Sequence, residues 1–171
     1  MTIRNPLQLK ALLKPGQRLL GLDLGAKTIG LALSDVLLTV ATPLVVIERR
    51  NLVKDIGALV RTMRTHEVGG LIIGLPLQMD GTEGVQAMAT RAFIRALLQR
   101  VDIELALWDE RLSSAAVERM LIEEADLSRK RRKAVLDRAA AAYILQGVLD
   151  YLAHALSHSL PPDGEGENVT P

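Results

Sequence analysis

The sequence predicts an α/β fold: a mixed five-stranded sheet with helices on both faces. Three observations carry this. Residues 18–35, "RLLGLDLGAKTIGLALSD", join two short apolar runs by a turn, the pattern of a strand hairpin. From residue 51 onward, apolar positions at helical spacing separate two further short apolar runs, the alternation that builds parallel strands through crossover helices. Finally, 49% of the 171 residues are hydrophobic, enough for one sizeable core without staples.

The elements follow in order. Residues 1–17 read as an N-terminal arm, an amphipathic piece broken by Pro15-Gly16. Residues 18–24 and 29–34 are two strands around the turn "GAKT". "TVATPLVVI", 39–47, is a third strand, and Pro43, with no N–H to give a ladder, puts it at the sheet edge. Leu52, Ile56, Leu59, Val60 and Met63 mark a helix over 51–66. "GGLIIGLPL", 69–77, is a buried strand, and "QMDGTEG", 78–84, a polar loop. A helix over 85–100 carries Met88, Phe93, Ile94, Leu97 and Leu98, and "VDIELALWD", 101–109, is the fifth strand. "LSSAAVERMLIEEA" reads as a helix capped by Ser113 or Ser114. A basic loop and a last helix over 134–154 complete a domain spanning 18–156, and 157–171 form a disordered acidic tail. Three strands in hairpins, then two parallel to the first, make the sheet mixed.

Composition narrows the function. There is no cysteine, which excludes disulfides and thiolate metal sites and fits a cytoplasmic protein. No signal peptide and no run of about 18 apolar residues is read, so no membrane partner is expected. The net charge of +1 hides an asymmetry. Without the tail acids Asp163, Glu165 and Glu167, 21 bases face 17 acids. "SRKRRK", 128–133, packs five cations into six positions, either a solvated surface run or a phosphate-binding patch.

Three carboxylates stand where a core would not want them. Asp23 shares a strand face with Leu19 and Gly21, while Leu20, Leu22 and Leu24 take the other. A central strand is covered on both faces, so this charge must neutralise, pair or bind a metal, unless it merely caps the turn at Gly25. "WDER", 108–111, ends an apolar strand with two acids, at the strand end where open α/β sheets place their sites. Alternation cannot choose between Asp109 and Glu110. Asp137 extends the helical stripe of Ala141, Ile144, Val148 and Leu152, so it faces the sheet rather than water. Three oxygen-donor acids converging at one end of a sheet suit Mg²⁺ or Mn²⁺. A pair of such ions about 3.5 to 4 Å apart is a recurrent device for phosphodiester cleavage. His66, His154 and His158 have no ligand-like spacing and read as surface residues.

"LLGLDLGAKTIGLALSD", "IIGLPLQMDGTEG", "DERLSS" and "LSRKRRKAVLDRAAAAYILQGVLD" resemble the four motifs of the YqgF or RuvX family, in the family's order and over roughly residues 18–152. Ala26 stands where that family commonly has threonine. The resemblance implies an RNase H-like fold and a bacterial cytoplasmic nuclease; members carry the names pre-16S rRNA nuclease and Holliday-junction resolvase. It implies that Asp23, Glu110 and Asp137 are the catalytic and metal-holding acids, with Asp109 in reserve. Lys27, Arg111, Arg129, Lys130, Arg131, Arg132 and Lys133 are the candidate nucleic-acid contacts. The expected partners are precursor rRNA or branched DNA, and ribosomal assembly intermediates. Symmetric junction cleavage calls for a two-fold dimer, and the sequence offers no obvious dimer patch, so RNA leads. A third reading is a non-catalytic RNA- or ribosome-binding module, against which the presence of all three acids argues. "DLGAKTIGLAL" also resembles the phosphate hairpin of actin-like kinases, but those need two such domains and a far longer chain.

Overall fold

The computed structural model of the chain describes residues 3–112 and 129–158, with the side chains of Leu112 and of residues 129–138 outside the description. The helix expected after Leu112, with its cap at Ser113 or Ser114, and the tail from residue 159 also lie outside the described residues.

Among the described residues the sheet has six strands, not five. In chain order the elements are β1 (Ile3–Arg4), α1 (Pro6–Leu12), β2 (Arg18–Leu24), β3 (Thr28–Ser34), β4 (Ala41–Glu48), α2 (Leu52–Thr65), β5 (Val68–Leu75), α3 (Val85–Leu98), β6 (Glu104–Asp109), a 3₁₀ turn (Glu110–Leu112) and α4 (Arg129–Ser157). The spatial order is β1-β6-β5-β2-β3-β4. β2, β3 and β4 are antiparallel neighbours, and β5 and β6 continue from β2 in parallel, as expected from the hairpin and crossover pattern. Pro43 lies on the edge strand β4 beside a register shift between Leu31 and Ala32, where its missing N–H costs no regular ladder bond.

The extra strand comes from the N-terminal segment. Ile3 and Arg4 pair in parallel with Leu105 and Ala106, and Arg4 Nε donates to Glu104 at 2.9 Å. Asn5 then caps α1 through a reciprocal capping box with Gln8 and sets Leu9 fully into the core. Two residues are too short to show a strand period, so the arm looked separate in sequence.

Alternation along the strands divides the core in two. Leu20, Leu22, Leu24, Leu71 and Ile73 pack against Ile56, Leu59 and Met63 of α2 and Phe93, Ile94 and Leu97 of α3. On the other face Leu19, Ala32, Ile72 and Ala106 pack against Ala141, Ile144, Leu145, Val148 and Leu149 of α4. The helices therefore cover both faces. The last helix begins earlier than its apolar stripe indicated: Arg129–Lys133 lie within α4 rather than in a loop. Cations oppose the dipole at a helix start, which is why the sequence pattern placed the boundary later.

α4 lies very close to β2. A β-carbon on Gly21 would stand 2.8 Å from Leu145 Cβ and 2.9 Å from the Ala141 carbonyl oxygen. Only hydrogen fits there. Gly57, inside α2, differs: its nearest neighbour would be the movable end of Arg61 at 3.6 Å. We expect Gly21→Ala to cost about 1–3 kcal/mol through overpacking against helix backbone. Gly57→Ala should instead add about 0.5–1 kcal/mol from helix propensity. Urea unfolding of the two variants beside the parent checks both signs.

Candidate active site

Asp23 is the penultimate residue of β2, and Glu110 opens the 3₁₀ turn that follows β6. Both strands are parallel neighbours of β5, so their carboxyl ends lie at the same end of the sheet. Both side chains point to the α4 face. Asp23 follows Leu19 and Gly21 in that alternation. Glu110 folds back over β5, where a β-carbon on Gly74 would stand 2.5 Å from Glu110 Oε1 and 2.6 Å from Ile144 Cδ1. The glycine in "IIGLPL" thus leaves the space that the Glu110 carboxyl fills.

The two carboxyls meet. Asp23 and Glu110 share a hydrogen bond, which requires a proton on one of them. Burial, then the Asp23 charge and this bond, then the Asp109 charge, push the Glu110 carboxyl from its ordinary 4.5 up to about 7. Both side chains are half-buried, so two ionised carboxylates there repel each other, in keeping with the upward push on Glu110. That is the donor set of a hard divalent cation: oxygen only, like-charged, and relieved by added positive charge.

Asp109 takes the other direction. Its carboxylate accepts from Arg111 Nε at 3.0 Å and from Arg111 Nη2 at 2.6 Å, and also from the Arg111 backbone N–H at 3.0 Å. Arg111 holds the Asp109 carboxyl below its ordinary range. The structure therefore joins Glu110, not Asp109, to Asp23. Arg111 remains exposed and reaches the loop after β5, where a β-carbon on Gly81 would stand 3.6 Å from its Nη1. Lys27 is exposed on the β2–β3 turn.

The third expected acid, Asp137, lies on α4 one turn before Ala141, the residue whose carbonyl presses on Gly21. Its side chain, and those of Arg129, Lys130, Arg131, Arg132 and Lys133, are outside the described residues. Among the described residues no group of three His, Asp or Glu is close enough to hold a metal. The described part of the site is the Asp23–Glu110 pair.

Sequence reasoning missed the residues that hold the turn after Asp23. Arg49 Nη1 donates to the Gly25 carbonyl at 2.8 Å, and its backbone N–H to the Lys27 carbonyl at 2.9 Å. Its guanidinium stands 5.7 Å over the Phe93 ring and pairs with Asp55 at 3.5 Å. Asp55 is buried and also accepts from the Arg50 N–H at 3.0 Å. Gln86 Nε2 adds a bond to the Leu24 carbonyl at 2.8 Å. A signal existed: Asp55 interrupts the apolar stripe of α2, three residues after Leu52 and four before Leu59.

Comparison with known proteins bears on the same residues. Residues 17–151 match the family described as RuvX: Holliday junction resolvase. A protein of Rhodospirillum rubrum is 56% identical over 140 residues, covering 82% of this chain and 87% of its own. One of Rhodospirillum centenum is 54% identical over 157 residues, covering 89% and 83%. Both are named "Putative pre-16S rRNA nuclease". Among solved structures, a yeast mitochondrial Holliday junction resolvase overlaps at a TM-score of 0.49 with 11% identity, over 89% of this chain and 88% of that one. At that distance the overlap says nothing of chemistry.

Two predictions come from this geometry. Glu110 holds its proton more tightly in the folded chain than an ordinary glutamate at 4.5 does. The metal-free chain should therefore be most stable below about pH 4.5 as far as this group is concerned, losing that contribution as pH rises through about 7. Asp23→Asn removes the neighbouring charge. It should shrink this loss and add on the order of 1 kcal/mol at pH 7.5. Urea titrations in EDTA from pH 5 to 8 read both effects. Separately, Arg49→Met should destabilise by about 1–3 kcal/mol, because it strips the partner from buried Asp55. The double variant Arg49→Met, Asp55→Leu should recover part of that loss.

Proposed function

The chain belongs to the RuvX Holliday junction resolvase family, and we propose that it is a divalent-metal-dependent endonuclease cleaving phosphodiester bonds in structured nucleic acid, with the 5′ leader of precursor 16S rRNA as its substrate. The observation that carries this reading is the hydrogen-bonded Asp23–Glu110 pair at the carboxyl end of the sheet. Two half-buried acids in direct contact are costly, and a bound cation offsets that cost. The relatives' names supply the substrate class.

In this reading Asp23, Glu110 and Asp137 hold Mg²⁺ or Mn²⁺ as a pair of ions. Bound there, the ions supply an activated water and charge stabilisation at the leaving oxygen. The chain's own side chains do the rest. As ligands, Asp23 and Glu110 would both be ionised, and the cation would offset their repulsion. Gly74 leaves room for the Glu110 carboxylate to stay on the α4 face. Arg49 and Gln86 keep the Asp23 strand end from shifting. Asp109 aims the Arg111 guanidinium, and Arg111 and Lys27 hold backbone phosphates near the ions. Arg129, Lys130, Arg131, Arg132 and Lys133 add a sequence-independent clamp at the start of α4. The cytoplasm, where ribosomal assembly intermediates are found, is the compartment this work requires.

Side-by-side assays test the substrate. A precursor 16S 5′ leader and a four-way DNA junction are incubated with the chain and Mg²⁺ or Mn²⁺. Cleavage of the leader is expected; cleavage of the junction alone overturns the RNA assignment, and cleavage of neither overturns the nuclease. Asp23→Asn should lower the rate more than about 100-fold while the protein stays folded by circular dichroism. Replacing Arg129, Arg131 and Arg132 together by alanine should weaken binding to RNA and DNA alike. It should also flatten the salt slope by about 0.7 to 0.9 log units per log of salt for each phosphate that is no longer neutralised. An unchanged slope removes the clamp.

A further inference from the structure

We propose that Trp108 and Tyr151 form a stacking platform for one unpaired base of the substrate, beside the Asp23–Glu110 pair, so that the chain cuts next to a single-stranded nucleotide. The proposal rests on the nuclease reading above and goes further by naming the substrate feature recognised. The chain is poor in aromatic residues, with one tryptophan, two tyrosines and one phenylalanine. Phe93 is spent in the core. Trp108 and Tyr151 stand together, with ring centroids 5.9 Å apart and planes at 53°. Rings so placed pack against each other directly, so a base would lie on the outer, exposed face of Tyr151. Tyr151 is 42% exposed, and Trp108 is only partly buried.

Position ties the pair to the site. Trp108 is opposite Gly74 in the β5–β6 register, and Glu110 lies over that same glycine. Glu110 follows Trp108 by two residues, across the end of β6, and both lie on the α4 side of the sheet.

The packing of Trp108 also argues for use of its ring. The indole edge rests against Gly147 of α4, where a β-carbon would stand 3.0 Å from Nε1. That N–H is buried and has no acceptor among the described residues. A leucine or phenylalanine would fill the space without an orphaned donor. Every base has a π-face, so a ring pair of this kind accepts unpaired bases with little sequence preference, and a paired base in a duplex cannot enter it.

Because Trp108 is the sole tryptophan, its fluorescence reports this spot alone. The full chain in EDTA, which prevents cleavage, is titrated with a single-stranded oligoribonucleotide, with a duplex of equal length, and with the single strand carrying abasic sites. Quenching by the single strand, and little by the duplex or the abasic strand, is expected. Tyr151→Ala should weaken single-strand binding roughly 5- to 150-fold and leave duplex binding unchanged. Tyr151→Phe should restore it, which separates stacking from the hydroxyl. If the single strand binds with unchanged fluorescence, or if Tyr151→Ala binds it as the parent does, the platform is wrong and the nuclease reading stands. If no nucleic acid binds the parent chain, both fall.

Discussion

The close approach of α4 to β2 at Gly21 governs the rest of the molecule. The helix can press its backbone onto the sheet only because that residue has no side chain. Once seated, α4 covers Leu19, Ile72 and Ala106 with its own Ala141, Ile144, Leu145 and Val148. Gly74 and Gly147 are further tight approaches along the same interface, one under Glu110 and one under Trp108. Each glycine gives up the stabilisation of a buried side chain in exchange for proximity. The face is built for short distances between chemically active groups more than for apolar volume, whereas the opposite face is filled with leucine, isoleucine and phenylalanine.

Around that face, carboxylates meet three different fates. Asp55 is neutralised by Arg49 and a backbone N–H and becomes part of the scaffold. Asp109 is tied by the chelating guanidinium of Arg111, two residues on. Asp23 and Glu110 face each other, and with burial the Asp23 charge pushes the Glu110 carboxyl up. Only the last arrangement leaves negative charge wanting a cation. Partner identity, not burial alone, separates a structural acid from a reactive one.

Much of this was legible in the sequence. The strands around Asp23, the edge position of the Pro43 strand and the parallel placement of β5 and β6 follow from alternation, proline chemistry and helical spacing. β1 was invisible because two residues carry no period. The start of α4 was set too late because a cationic run argues against a helix beginning there. Asp109 and Glu110 could not be separated by alternation with both sheet faces covered. What sets them apart is the local Arg111 pairing of Asp109 and the room that Gly74, on the neighbouring strand, leaves for Glu110. Asp55 shows the limit of the stripe argument applied to Asp137: an acid on a core-facing stripe has a partner, but the stripe does not say which kind.

The pairing of β1 with β6 has a consequence for how the chain is made. Arg4 and its partner Glu104 are 100 positions apart, so β1 waits for β6 before it has a strand to pair with. Leu9, on the helix that follows, rests against Gly70 of β5 and is covered fully only once α4 is in place. Such long-range closure is entropically late, and it leaves β1 unpaired while the intervening chain is made. The strand that carries Trp108 and leads into Glu110 is thus sealed by a segment made some 100 residues before it.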